Sequence, residues 1–534
     1  MPCGRAAGAC EPATFGVDSF TVPQVLDRRA EQFPERVMMS IAGTPVTFAQ
    51  MRDRSCAAAN VLLDRGVARG DTVALFTATC PEWVYFWLGA ARIGAVSAAV
   101  NAASKGDFLA HALTLSRAKL VLTDAARVDR LAEVADPIDT LKTAVTLGDS
   151  LTRQLADAGT EVLRSTPASP TDVGALFFTS GTTGASKAVA TTWHYLFTAA
   201  ATAAAAWEFG AQEVIWTAMP LFHLSAAPTV LAPMLVGGTS VLAEAFHPTE
   251  VWDQIRDCGA VGFAGAGAMV AMLWNLPAEP RDAELGLRFI SAAPIPAELY
   301  RPIEQRYRCR IVTMYGLTEA FPLAYKAVSD RGVPGTSGQV SPAFEVRLVD
   351  GDGCSVPDGA VGEIACRPRT AHVMSEGYVM SAPGVTGLRV HPHPEWFRTG
   401  DLGRLDAEAN LTFVDRATDS LRRRGENVSS VEVEQTVLGH PAVLEAAAVG
   451  VPSELGEDDI LAVVTLAPGA TVEFTELLDF CAERMPYFCV PRYLEVMQEI
   501  PKNVIGRVRK DLLRGRGVSA GAWDREAHGY TVSR

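Results

Sequence analysis

Residues 176–189 read LFFTSGTTGASKAV. An apolar strand enters a loop dense in Thr, Ser and Gly, a lysine follows, and the next segment is compatible with a helix. Glycines let backbone N–H groups approach an oxyanion, and hydroxyls add donors. Lys187 brings a positive charge to the same place. This is phosphate-cradle chemistry, although the spacing is not GxxxxGK[ST]. On either side the chain alternates strands with helices. TVALFT (72–77), AVSAAV (95–100) and AKLVLTD (118–124) read as strands, and PEWVYFWLGAARIG (81–94) reads as a helix. A second cycle runs through 173–179, 214–220, 238–244, 287–293 and 309–316. Such alternation implies α/β layers with largely parallel strands.

At 534 residues the chain exceeds one core, so two or more domains are expected. A formal net charge of −14 argues against nucleic acid as the main partner, because phosphate backbones select basic surfaces. The ten cysteines form no CxxC pair and no zinc spacing with His, so reduced thiols and a cytoplasmic setting are expected. The N-terminal residues have no apolar core long enough for a signal peptide. LFTAAATAAAAW (196–207) is too short and too Ala-rich to span a bilayer and reads as a buried helix. Oligomeric state is not legible.

Past residue 330 the texture changes. Residues 329–342 are loop-rich, and 344–367 look like two strands around a Gly/Asp/Pro turn, giving a β-rich subdomain at about 335–415. A compact α+β pattern follows a charged stretch at 415–435. The boundary is expected at 416–420, with a large domain over 1–416 and a small one over 417–534.

Six further stretches complete a series: MPLFHLSA (219–226), SAAPIP (291–296), YGLTEA (315–320), WFRTGDLGRLD (396–406), DRATDSLRRRGENVSSVEVE (415–434) and PKNVIGRVRK (501–510). Together with TSGTTGASK, and in this order, they resemble the ANL superfamily of adenylate-forming enzymes across essentially the whole chain. That superfamily contains acyl-CoA synthetases, nonribosomal peptide adenylation domains and luciferases. RRRGEN and VEVE look like crotonobetaine/carnitine-CoA-ligase-like members. The resemblance implies an α/β fold: a large N-terminal domain of layered sheets plus a β-rich subdomain, and a small mobile α+β lid. It implies ATP and Mg2+ as cofactors and CoA as co-substrate.

The resemblance also implies roles. Thr179, Ser180, Gly181, Thr182, Thr183, Gly184 and Lys187 would cradle phosphate. Ala292, Ala293 and Pro294 would lie beside adenine, and Tyr315, Gly316 and Thr318 would complete the nucleotide site, with Thr318 on phosphate. Glu319 would hold Mg2+, which favours one or two carboxylates plus substrate oxygens. Asp401 would accept from the ribose diol, and Arg416 would contact ribose and phosphate. His223 would line the substrate and thiol path, where amino-acid-activating members carry Asp. Gly265 and Ala292 would wall the substrate pocket; their small size leaves room for a bulky substrate or allows tight strand packing. RRRG (422–425) is either a solvated charge run or a contact for CoA phosphates. His391 and His393 read as loop residues.

Two positions depart from the pattern. Thr418 stands at the hinge, where Asp or Lys is usual; a hinge needs only to absorb φ/ψ change. Arg507 stands where the lid lysine is expected. A guanidinium is planar and bulkier than an ammonium, so it neutralises phosphate from a different position. A misplaced donor at such a centre costs about a hundredfold in rate. Three functions are therefore expected in order: a ligase joining a small organic acid to CoA; a diazotase of the same fold joining nitrite to an aromatic amine; and a nucleotide-binding homologue with impaired catalysis.

Overall fold

The computed structural model describes residues 11–532 apart from 163–164, 182–183, 275, 294, 296, 381–386, 417–419, 425, 454–455 and 502–507. It is a mixed α/β protein with a large N-terminal domain of several sheets and a small C-terminal domain. The first sheet has eight strands, in the spatial order Arg389–His391, Gly377–Met380, Gly184–Thr192, Val173–Gly181, Val96–Ala99, Thr72–Phe76, Ala118–Thr123, Thr143–Thr146. From Val173–Gly181 through Thr143–Thr146 the pairings are parallel. The other three strands are added antiparallel at one edge.

A seven-stranded sheet carries the second α/β cycle, with Val214–Thr217 between Thr239–Leu242 and Gly262–Ala264, and Phe289–Ser291 and Arg310–Val312 beyond. A third, seven-stranded antiparallel sheet runs from Met314–Leu317 to Phe344–Val349. It contains the two strands expected within 344–367, and a short strand, Gly338–Val340, lies inside the stretch expected to be loop. The small domain has a hairpin of Ser420–Arg423 with Glu426–Ser429 and a four-stranded sheet between Val443 and Asp524.

One sequence expectation is corrected. Residues 184–192 form a strand, not the start of a helix. Its Ala, Val and Thr residues pair antiparallel with Val173–Gly181 along their length, and that tertiary pairing overrides the alanines' helical preference. The helix begins at Trp193, capped by Thr192, whose hydroxyl accepts from the Tyr195 N–H at 3.1 Å. It runs to Trp207 and is buried along nearly its whole surface. Gly174 makes room for its first residue, since a Cβ there would lie 2.5 Å from the Trp193 indole nitrogen.

Among the described residues no helix is long and apolar enough to cross a membrane. The small domain packs on the large one through the helices Phe474–Arg484 and Gly106–Leu115. Ala103 and Phe108 sit against the small domain's core. Gly106 (φ +51°) brings its backbone close to Arg484, where a Cβ would be 3.5 Å from the carbonyl oxygen.

The tight packing predicts one stability effect. A Cβ on Gly262 would lie 2.1 Å from the Phe289 ring. That ring is stacked on Trp207 at 5.8 Å and cannot swing away freely. Gly262→Ala should destabilise the large domain by about 1–3 kcal/mol, the range for overpacked cores. Urea unfolding followed by fluorescence reads the loss, and an unchanged midpoint would contradict this packing.

Candidate functional site

The hairpin register places Lys187. Thr179 lies directly opposite Lys187, and Gly181 opposite Gly184. Thr182 and Thr183 lie outside the described residues, as does the side chain of Ser180. The Lys187 ammonium sits 4.6 Å from the centroid of the Tyr378 ring. The Tyr378 hydroxyl donates to Glu319 Oε1 at 2.7 Å. Burial first, and the adjacent Glu319 charge second, push this phenol far above its ordinary range, so it stays a donor. Tyr378 is carried on the strand paired with the lysine's own strand, opposite Val189.

His393 packs edge-on against Tyr378 at 5.2 Å, and its Nε2 lies 2.7 Å from the Ser375 hydroxyl. The Ser375 N–H donates to the Glu319 carbonyl at 2.8 Å. Burial, reinforced by the Lys187 charge, lowers His393 to about 4, so it is neutral at physiological pH. His393 lies in a loop, as expected, and joins a half-buried polar network there, whereas His391 ends the strand Arg389–His391. Among the described residues no group of three or more His, Cys, Asp or Glu gathers as a metal cage. Glu319 is a buried carboxylate, an oxygen donor of the kind that would suit Mg2+.

At the other end of the YGLTEA turn, the Tyr315 hydroxyl donates to Asp401 Oδ2 at 2.8 Å, and both residues are buried. Burial and then the Asp401 charge hold this phenol well above its ordinary range. Asp401 is in backbone register with Arg416, whose side chain lies outside the described residues. Thr318 is fixed through its carbonyl, which accepts from the buried Tyr195 hydroxyl at 3.1 Å. Gly316 is required by the turn, because a Cβ there would lie 2.5 Å from the Ala320 carbonyl oxygen. One short turn therefore supports a carboxylate at each end.

Gly265, Ala292 and Ala293 meet at the carboxyl ends of neighbouring parallel strands, where α/β sheets bind ligands. Gly265 N–H donates to the Ser291 carbonyl, and Ala292 N–H to Val312. The space beside Gly265 is already filled: a Cβ would lie 2.7 Å from the Phe263 ring and 3.1 Å from Met269 Sδ. Of the two explanations for its small size, the geometry favours tight packing. Pro294 lies outside the described residues, as do Thr418 and Arg507.

His223 is half-buried, and its Nε2 lies 2.7 Å from Glu426 Oε2 in the small domain's hairpin. A second contact crosses the domains at Ser186. Its carbonyl lies 2.8 Å from His111 Nε2, and its N–H donates to the Glu432 carboxyl. Burial raises Glu432 to about 7, opposed by that hydrogen bond. In RRRG, Arg423 is buried, 3.1 Å from Asp459, and donates to the Val490 carbonyl at 2.5 Å. Arg424 lies 3.7 Å from Glu526. These two arginines brace the small domain.

Sequence reading did not single out Tyr378, Glu426, Glu432, Tyr195 or His111. Tyr378 and Glu432 had a faint signal, in the GYV that pairs beside the loop and in VEVE. The other three become visible only through contacts across the fold.

Residues 26–379 match the family model described as AMP-binding enzyme, and residues 432–507 match that of the AMP-binding enzyme C-terminal domain. A crotonobetaine/carnitine–CoA ligase from Salmonella paratyphi A is 30% identical over 488 residues, covering 88% of this chain and 93% of that protein. Among solved structures, o-succinylbenzoate CoA synthetase (MenE) from Bacillus subtilis, bound with its product analogue OSB-NCoA, superposes with a TM-score of 0.80 at 24% identity. The match covers 92% of this chain and 98% of that one. The amide bond synthetase McbA from Marinactinospora thermotolerans gives a TM-score of 0.79 at 24% identity, covering 92% and 99%. At these identities the structural likeness shows the fold.

The Ser186–Glu432 contact predicts a pH dependence. A carboxyl near 7 when docked and near 4.5 when free makes docking strongest below the free value. Docking should weaken as pH rises from about 4.5 to about 7 and level off above. Exchange protection at the Ser186 amide, corrected for intrinsic rate, should fall across that window. Glu432→Gln should flatten the dependence; a variant that keeps the full slope would place the titrating group elsewhere.

Proposed function

Because the chain belongs to the family of AMP-binding, adenylate-forming enzymes, we propose that it is an ATP-dependent ligase that joins a small organic acid to CoA. The observation that carries this reading is the YGLTEA turn: Tyr315 bonds Asp401 at one end, and Glu319 is bonded by Tyr378 under Lys187 at the other. A nucleotide lying along the turn has its ribose at Asp401 and Arg416 and its phosphates at the 179–187 hairpin, with Ala292, Ala293 and Pro294 beside its base.

In the first step the acid's carboxylate attacks the α-phosphorus in line, the bond to pyrophosphate breaks, and an acyl-adenylate forms. Lys187, Thr318 and Arg507 meet the phosphate oxygens as charge shifts toward the leaving group. Preorganised charge in a dry site is the larger part of such catalysis. Mg2+ held by Glu319 neutralises phosphate charge when bound. In the second step a CoA thiolate attacks the acyl carbonyl and AMP departs. We assign the body to residues up to about 416 and the lid to the rest, turning at Thr418. The small domain is docked with Glu426 Oε2 2.7 Å from His223 Nε2, and we assign this arrangement to the second step.

Product analysis tests this. Protein with MgATP and panels of acids should release pyrophosphate with acid alone, and AMP only when CoA is present as well. AMP formed only with nitrite and an arylamine would replace the reading with the diazotase, whose small inorganic anion would suit the changed lid loop at 507. Bound ATP without AMP under every condition would leave a nucleotide-binding homologue. Arg507→Ala should slow adenylation and spare thioester formation from supplied adenylate; equal loss of both would remove Arg507 from the first step. Tyr315→Phe deletes a hydrogen bond to a carboxylate and should raise KM for ATP about tenfold with kcat little changed; an unchanged KM would detach Asp401 from the ribose.

A further inference from the structure

Glu319 has a flexible side chain, and a metal-binding carboxylate is effective only when its oxygens are held in one direction. Here the holding contacts close into a ring. The Glu319 carbonyl accepts from the Ser375 N–H at 2.8 Å, the Ser375 hydroxyl meets His393 Nε2 at 2.7 Å, His393 packs on Tyr378 at 5.2 Å, and the Tyr378 hydroxyl returns to Glu319 Oε1 at 2.7 Å. Tyr378 is itself fixed by strand pairing. Gly377 and Tyr378 align with Ala190 and Val189, just beyond Lys187 on the same strand. Gly377 (φ +134°) admits no side chain, because a Cβ would lie 1.9 Å from the His391 carbonyl oxygen. The tyrosine's backbone is thus tied to the strand that carries the lysine.

The same residue meets both charges of the phosphate end. Its hydroxyl points to the carboxylate, and its ring lies beneath the Lys187 ammonium at 4.6 Å. We propose that Tyr378 is a positioning residue that sets the direction of the Glu319 carboxylate toward the nucleotide's metal ion and ties it to the strand of Lys187. The proposal rests on the nucleotide reading of the site. Without the hydroxyl, Glu319 loses a fixed donor and samples other rotamers, so the metal binds less tightly while the nucleotide's own contacts persist.

The test uses Mn2+ and α,β-methylene ATP with the full chain. Electron paramagnetic resonance titration should show Mn2+ bound about tenfold more weakly to the Tyr378→Phe enzyme–nucleotide complex than to wild type, the usual effect of losing an outer-shell partner. Binding of the nucleotide without metal should stay within twofold, because the ring remains. In turnover the variant's rate should recover as Mg2+ is raised, which a general loss of packing would not allow. Mn2+ affinity within twofold of wild type overturns the proposal. Failure of wild type to bind Mn2+ with the nucleotide overturns the functional reading as well, so the two failures are distinct. Should the variant not fold, 3-fluorotyrosine at position 378 in the otherwise native chain serves instead. Its 19F resonance should shift when Mg2+ is added to the nucleotide complex, and a resonance indifferent to Mg2+ overturns the proposal.

Discussion

The antiparallel register between Val173–Gly181 and Gly184–Thr192 is the constraint on which the site depends. A slip of one residue would turn every side chain to the opposite face. Lys187 would then leave the Tyr378 ring and Thr179 would lose it as a partner. The register is held from both sides. Parallel pairing with Val96–Ala99 fixes one strand, and Gly377 and Tyr378 fix the edge of the other. At its far end Trp193 fills the space left by Gly174 and stacks on Trp87 at 5.8 Å. Core packing and the position of one lysine are thus parts of the same arrangement.

Around that hairpin, charge is supported by phenols rather than by opposite charges alone. Tyr315 and Tyr378 each donate to a buried carboxylate, and Tyr195 holds the backbone between them. Neutral donors suit a site that must later accept a highly charged ligand, because they orient an anion without cancelling it. A buried arginine in their place would compete with the incoming metal and nucleotide for the same carboxylates. The small domain's buried arginines, Arg423 and Arg525, are instead engaged within that domain, Arg423 by Asp459 and both by the Val490 carbonyl.

Much of this was legible in the sequence where local chemistry dictates structure. The strands of both α/β cycles, the buried Ala-rich helix and the two strands within 344–367 follow from apolar runs and turn residues. The strand over 184–192 did not, because alanine and valine there take their conformation from a partner strand rather than from their own preference. Gly265 shows a similar limit: a small residue records only that space is needed, and only the folded positions of Phe263 and Met269 show what fills it. The candidate site was legible as motifs, in Lys187, Glu319 and Asp401. Its supports were not, since Tyr378 reaches Glu319 across 59 positions and His223 reaches Glu426 across the domain junction.

Ser186 is held by both domains at once: His111 at its carbonyl, Glu432 at its N–H. That single peptide group would couple the domain arrangement to any ligand that competes for its N–H. Any anion that takes the Ser186 amide must displace the Glu432 carboxyl, and linkage requires the effect to be mutual. By whatever factor the anion loosens the small domain, docking of the small domain loosens the anion. Departure of such an anion and closure of the chain's own carboxyl onto the Ser186 amide would then favour one another.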